Sequence, residues 1–176
     1  MTDTLKSICD QCAHLKSPQL DFISSDFARH REILTRDLQE LVSAAANESE
    51  KTVVILGGSI LEAILYTLIQ GQSEYIAERR GTFQFNPDHS LQNYVSIFNR
   101  WLNHLMPTVL LPDAVVNYRD LMHINREINA QPGFCTGASR ETLRILDVLL
   151  AGLSELVAPS EPDTQRTLRN NEAQNF

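Results

Sequence analysis

The stretch VVILGGSILEAILYTLI, residues 53–69, is the most apolar part of the chain and the strongest indication of its fold. It is near the length of a membrane span, but two glycines, a serine and Glu62 lie in its middle. A charged side chain at that depth is costly in lipid. The stretch therefore predicts a helix over about residues 50–71, which can continue to Arg79, buried on most sides at the centre of a helical protein.

Gly57 and Gly58 stand inside this predicted helix, although glycine lowers helix propensity by about 1 kcal/mol relative to alanine. We expect the compensation to be a neighbouring helix that approaches the backbone closely. The spacing does not match a phosphate-binding loop, which ends in Gly-Lys-Ser or Gly-Lys-Thr. The glycine pair therefore predicts helix packing.

Apolar residues recur at helical spacing elsewhere in the chain as well. The further predicted helices cover about residues 3–15, 19–47, 90–105, 112–129 and 138–157. Residues 80–89, RGTFQFNPDH, carry the turn chemistry of a loop. Long helices joined by short loops predict an all-α fold, an antiparallel up-and-down bundle of about five main helices.

The last 19 positions differ from the rest in composition. Residues 158–176 contain few large apolar side chains and are predicted to be disordered, whereas residues 1–157 form a single domain. The N-terminus has no charged start followed by an apolar run, so no signal peptide is predicted. We therefore expect a cytoplasmic protein that does not associate with a membrane.

The charge and the cysteines exclude two classes of protein. A formal net charge of −7 argues against a broad non-specific nucleic-acid-binding surface, but it allows a local basic site. Cys9, Cys12 and Cys135 are too few for a disulfide framework. Zinc needs four ligands, and no second cluster follows Cys9, Cys12 and His14. We predict that these cysteines have simple packing roles, with Cys135 alone in a loop, and that the protein has no metal and no cofactor.

Arg119 and His123 form the strongest candidate for chemistry. They lie four residues apart on a predicted helix and therefore share one face. Histidine can transfer a proton near neutral pH, and arginine can bind a phosphate with two donors and stabilise its growing charge. The pair thus suits metal-free cleavage of RNA, whose own 2′-hydroxyl is the nucleophile. Such spacing also occurs by chance in helices, so it does not assign catalysis alone.

Two segments resemble a known superfamily. YRDLMHINREI, residues 118–128, is similar to the R-[N/D]-x-x-H signature of bacterial HEPN-like families (higher eukaryotes and prokaryotes nucleotide-binding). GGSILEAILYTLI, residues 57–69, resembles the G-S-x-L-E-A-x-L helix that precedes the signature in such families. The order of helices agrees over residues 20–157. The chain thus resembles a bacterial RiboL-PSP-HEPN/MAE-type helical domain.

This resemblance implies a helical bundle that commonly forms a homodimer. Active members are metal-independent endoribonucleases, and many belong to toxin–antitoxin, abortive-infection or antiviral-defence systems. By residue matching, Arg119 and His123 are the catalytic pair and Asp120 is the polar residue after the arginine. Glu62 corresponds to the glutamate of the earlier helix, which faces the arginine. RNA is the implied substrate, and an antitoxin or other defence-system protein is the implied partner.

A binding function remains the alternative. Here only three residues separate Arg119 and His123, whereas active members have four to six, and Ile124 replaces the frequent proline. The alternative is a non-catalytic HEPN-like module that dimerises or assembles with a partner protein. In that interpretation, Glu62 forms an ion pair with Arg119 or His123 that holds helices together, because an unpaired buried charge is costly.

Four further side chains have a structural interpretation. His30 lies on the apolar stripe of its predicted helix and is expected to be a core histidine with its hydrogen bonds satisfied. Tyr94, Phe98 and Trp101 could stack on bases, but their helical spacing predicts that they belong to the core.

Overall fold

A computed structural model describes residues 3–112, 115–116 and 134–157, without the side chains of Asp26, Arg80, Phe134, Cys135 and Val157. Within these ranges the regular structure is helical, with no strand, which confirms the predicted all-α bundle. The α-helices are α1 (Leu5–Gln11), α2 (Ala13–Lys16), α3 (Ala28–Ala46), α4 (Glu50–Gly71), α5 (Ser73–Arg80), α6 (Leu91–Ile97) and α7 (Phe134–Val157). Helix α6 continues as a π-helical turn, Phe98–Leu102, and a 3₁₀ turn, Asn103–Leu105; another 3₁₀ turn, Ser25–Phe27, precedes α3.

Helix α4 is the centre of the bundle, as its apolar sequence predicts. It packs against α3, α6 and α7, while α1 and α2 bridge α3 and α7. Three residues join α3 to α4, so these two helices form an antiparallel hairpin. Thr136 at the start of α7 donates a hydrogen bond of 2.7 Å to Glu50 at the start of α4. Gly57 lies against Thr142 further along, so α4 and α7 run in the same direction.

The glycine in the α4–α7 contact has the predicted role. A Cβ atom built on Gly57 would overlap the Thr142 methyl group and lie 3.6 Å from Leu146 Cδ1. The Thr142 hydroxyl donates a hydrogen bond of 2.7 Å to the Ala138 carbonyl, which fixes that side chain. The close approach of α7 therefore needs a residue without a side chain at position 57.

By length and composition, α4 could cross a membrane, since its most apolar window has a mean hydropathy of 2.0. However, 61% of that window is buried inside the protein. The core helices of soluble proteins pass the same test, so this is weak support for a membrane span.

Three predicted helix boundaries are wrong. The helix predicted over residues 19–47 begins only at Ala28, because Leu20 and Ile23 are buried within a turn that Arg31 stabilises through a hydrogen bond of 2.6 Å to the Ile23 carbonyl. The predicted helix 3–15 breaks at Cys12, where the backbone leaves the helical region. The last helix begins four residues earlier than predicted. The predicted helix 112–129 falls mostly outside the described residues, and the predicted disordered tail falls wholly outside them.

Two carboxylates attach the N-terminal helices to the bundle. Glu48, in the α3–α4 connection, accepts hydrogen bonds from the backbone N–H groups of Leu5 and Lys6, at 2.9 and 3.0 Å. The bond from Lys6 contributes most to lowering the pKa of the Glu48 carboxyl group. Asp147 on α7 accepts from the N–H groups of His14 and Leu15, at 2.8 and 3.1 Å. Both bind otherwise unpaired donors at helix starts.

Candidate functional site

Glu62 is the one predicted site residue that falls within the described residues. It lies on α4, half-buried, and lines a cavity of about 340 Å³. We call this cavity the Glu62 cavity. Arg119, Asp120 and His123 lie outside the described residues, so their roles stay predictions.

The Glu62 cavity lies between α3, α4, the segment that leads into α6, and α6 itself. Helix α3 contributes His30, Ile33 and Leu34, and α4 contributes Ser59, Glu62, Ala63 and Tyr66; Pro87 and Tyr94 complete the described lining. Most of this lining is apolar or aromatic. A carboxylate and an imidazole therefore share a largely apolar cavity.

His30 differs from its predicted role as a satisfied core histidine. Its ring is half-buried, stacks on Phe27 at 5.2 Å between centroids and meets the edge of Tyr66 at 5.6 Å. Its Nδ1 atom is buried and has no hydrogen-bond partner among the described residues. A buried nitrogen without a partner costs free energy, so its presence needs an explanation, and a functional role is one such explanation.

Tyr94 fixes the part of the cavity wall that α6 and Pro87 form. Its hydroxyl donates a hydrogen bond of 3.1 Å to the Pro87 carbonyl, and its ring meets the ring of Tyr66 edge-on at 6.2 Å. Burial raises the pKa of Tyr94, and the nearby Tyr66 and Glu62 add to the shift when they are negatively charged. Tyr94 thus stays neutral and acts as a hydrogen-bond donor. The predictions that Tyr94 and Phe98 belong to the core are confirmed.

The chain that leads toward the Arg-His segment packs against α4. Asn99 in the π-helical turn donates a hydrogen bond of 2.8 Å to the Leu111 carbonyl and accepts one of 3.4 Å from the Leu111 N–H. Val115, four positions before Arg119, is buried beside Gly57 and Leu61. Leu61 directly precedes Glu62 in sequence.

The cysteines take no part in the Glu62 cavity. Cys9 and Cys12 are buried in the core, which confirms the packing prediction for these two; the Cys135 side chain lies outside the described set. Burial raises the pKa of both thiols, and that of Cys12 to about 11. Within the described parts of the chain, no three histidine, cysteine, aspartate or glutamate side chains converge as a metal site requires.

One group of residues, around Arg100, was not predicted from the sequence. Arg100 is exposed and lies over the ring of Trp101, with its guanidinium carbon 5.0 Å from the ring centroid. Both residues line a second cavity, so Trp101 is only partly a core residue. The signal was present in the sequence, because Asn93, Ser96 and Arg100 follow the i, i+3, i+7 spacing of one helix face.

Comparison of the chain with protein-family models, with curated proteins and with solved structures found no match. The HEPN-like resemblance therefore rests on the two sequence segments and on the helical fold.

Proposed function

We propose that this protein is a HEPN-like, metal-independent endoribonuclease that acts as a cytoplasmic homodimer, as a toxin or antiviral-defence effector. Arg119 binds the scissile phosphate and stabilises its negative charge. His123 transfers protons between the reacting oxygens. Asp120 and Glu62 orient this pair. The 2′-hydroxyl of RNA attacks the adjacent phosphorus and the 5′-oxygen leaves, so the products carry a 2′,3′-cyclic phosphate and a 5′-hydroxyl.

The position of Glu62 is the observation that carries the proposal. A glutamate that only joins two helices needs no open space beside it, whereas Glu62 lines a cavity of about 340 Å³ together with His30. The described chain also comes to the same helix shortly before the Arg-His segment, since Val115 packs beside Leu61. These contacts agree with a site in which α4 supports Arg119.

Cleavage of RNA in the presence of a chelator tests the proposal. Purified wild-type protein should cleave RNA under these conditions, because no metal takes part. The His123→Ala variant should cleave about 100-fold or more slowly, because general acid–base catalysis contributes at least that factor to the rate. Arg119→Ala and Glu62→Gln should also lose activity. His14→Ala on α2 and Glu78→Gln, exposed on α5, are the matched controls and should cleave as the wild type does.

Expression in a bacterial host gives a second readout. The wild type should arrest growth and leave cleaved cellular RNA, whereas the His123→Ala variant should be harmless. The proposal would be contradicted if RNA stayed intact both with the purified, folded wild-type dimer and in the bacterial host that expresses the wild type.

A non-catalytic binding module is the second candidate, and a feature of α7 favours it. Val148 and Leu156 are large apolar side chains with 43% and 40% exposure, and positions eight apart fall on one side of a helix. They suit contact with a second copy or with a partner protein. In this case Val148→Glu would dissociate the assembly, and the wild type would leave RNA intact. RNA cleavage by the wild type would reject it.

A further inference from the structure

A second cavity, of about 280 Å³, lies along the outer face of α6 and the π-helical turn. Its described lining consists of His89, Asn93, Ser96, Ile97, Arg100 and Trp101. We call this second cavity the Arg100 cavity. None of its described lining residues lines the Glu62 cavity. Its lining is far more polar than that of the Glu62 cavity, because Ile97 is its one aliphatic residue among the described ones.

Arg100 gives the Arg100 cavity a positive charge. The guanidinium is exposed, and among the described residues no carboxylate forms an ion pair with it. Its described contact is the face of Trp101, which orients the planar group without neutralising it. A guanidinium held in this way can donate two parallel hydrogen bonds to a phosphate group. An exposed, oriented arginine is therefore suited to an anion.

Two neutral polar side chains lie on the same helix face as Arg100. Asn93 and Ser96 are both exposed, and neither side chain hydrogen-bonds to another described residue. The Asn93 amide can donate and accept, and the Ser96 hydroxyl can do the same. Spaced three and four residues apart along one face, they and Arg100 can contact one small ligand together.

The π-helical turn is an independent sign of function at this place. The N–H of Asn103 bonds to the carbonyl of Phe98, five residues back, and the turn includes Arg100 and Trp101. Such turns are rare inside helices and occur frequently at functional sites. Asn99, in the same turn, holds the backbone of Leu111 through two hydrogen bonds, so this turn is anchored on its other side.

The two cavities adjoin at one pair of rings. His89 lines the Arg100 cavity and Tyr94 lines the Glu62 cavity, and their ring centroids are 5.8 Å apart in an edge-on contact. A ligand against His89 therefore lies one ring away from the Glu62 cavity.

We propose that the Arg100 cavity binds a small phosphate monoester of about the size of one nucleotide, with the phosphate on Arg100 and with Asn93 and Ser96 bonded to the polar groups of the ligand. The volume of about 280 Å³ is close to the lower limit of about 300 Å³ for small-molecule sites, which favours a ligand with one phosphate and one small organic group. The site does not depend on the proposed ribonuclease activity.

The fluorescence of Trp101 provides the test, because it is the one tryptophan of the chain. Titration with adenosine monophosphate should give a saturable change in tryptophan fluorescence, and adenosine, which lacks the phosphate, should give none. Arg100→Gln should weaken binding about tenfold or more, as expected for the loss of a charged hydrogen bond. Asn93→Ala is a second variant that should weaken binding with the charge intact.

Arg79→Gln is the matched control. Arg79 is also exposed and also lies over an aromatic ring, with its guanidinium carbon 4.6 Å from the centroid of Tyr75. This variant should bind adenosine monophosphate as the wild type does. Circular dichroism and thermal melting confirm the folding of each variant. The proposal is overturned if the wild type does not bind adenosine monophosphate, if both arginine variants lose binding equally, or if only a 5′-phosphorylated RNA oligomer binds.

Discussion

The two sides of helix α4 are built differently. On the side that faces α7, Gly57 lets the neighbouring helix approach until no side chain fits between them, and Leu146 and Val115 fill the contact. On the side that faces α3 and the segment before α6, a cavity remains around Glu62, and His30 keeps a buried nitrogen without a described partner. One side of the helix is optimised for packing, whereas the other gives up packing for polar groups in a cavity.

Truncation of one apolar side chain on each side should show the largest difference. Leu146→Ala removes a side chain that is 1% exposed and should lower the free energy of unfolding by about 2–5 kcal/mol, because a cavity remains. Ile33→Ala removes a side chain that lines the Glu62 cavity and is 36% exposed, and should cost less than about 1 kcal/mol. Urea unfolding of both variants measures the two values. Equal losses would show that the two sides pack alike.

Alanine at a glycine of α4 should give the next largest effect. Gly57→Ala should lower the free energy of unfolding by about 1–3 kcal/mol, because the new methyl group overlaps the Thr142 side chain. Gly71, the last residue of the same helix, is the matched control, since a Cβ atom there meets nothing within 4 Å. Gly71→Ala should leave stability unchanged or raise it by up to about 1 kcal/mol through helix propensity. Thermal melting of the two variants compares them directly.

The contrast between these sides also explains what the sequence could predict. A glycine pair inside an apolar helix indicates a close neighbour, because little else compensates for the lost propensity, and so the role of Gly57 was predictable. The start of α3 was not predictable, because Leu20 and Ile23 have helical spacing although the backbone that buries them is a turn. Periodicity reports that a side chain is buried, not which backbone buries it.

The candidate site was only partly predictable for a related reason. The sequence marked Glu62 as a charge in an apolar helix, but a cavity depends on how far α3 and the segment before α6 stand from α4. The missing partner of His30 Nδ1 likewise depends on tertiary neighbours. Arg119, Asp120 and His123 stay predictions from sequence. The helical spacing of the Arg100 face was visible in the sequence, but neither the cavity nor the π-helical turn was.

Removal of one buried polar atom on each side of α4 should change the free energy of unfolding least, and the two changes should differ in direction. His30→Phe keeps an aromatic ring against Phe27 and Tyr66 and removes the unpartnered Nδ1, so the free energy of unfolding should stay constant or rise by up to about 1 kcal/mol. Thr142→Val removes a hydroxyl that donates to the Ala138 carbonyl and should lower it by about 1 kcal/mol. Urea unfolding resolves both. A nitrogen that is retained for function costs stability, whereas one that is retained for structure adds to it. A loss of stability in His30→Phe as large as that in Thr142→Val would therefore mean that the imidazole is a structural group. The Glu62 cavity would then be a feature of packing in the bundle.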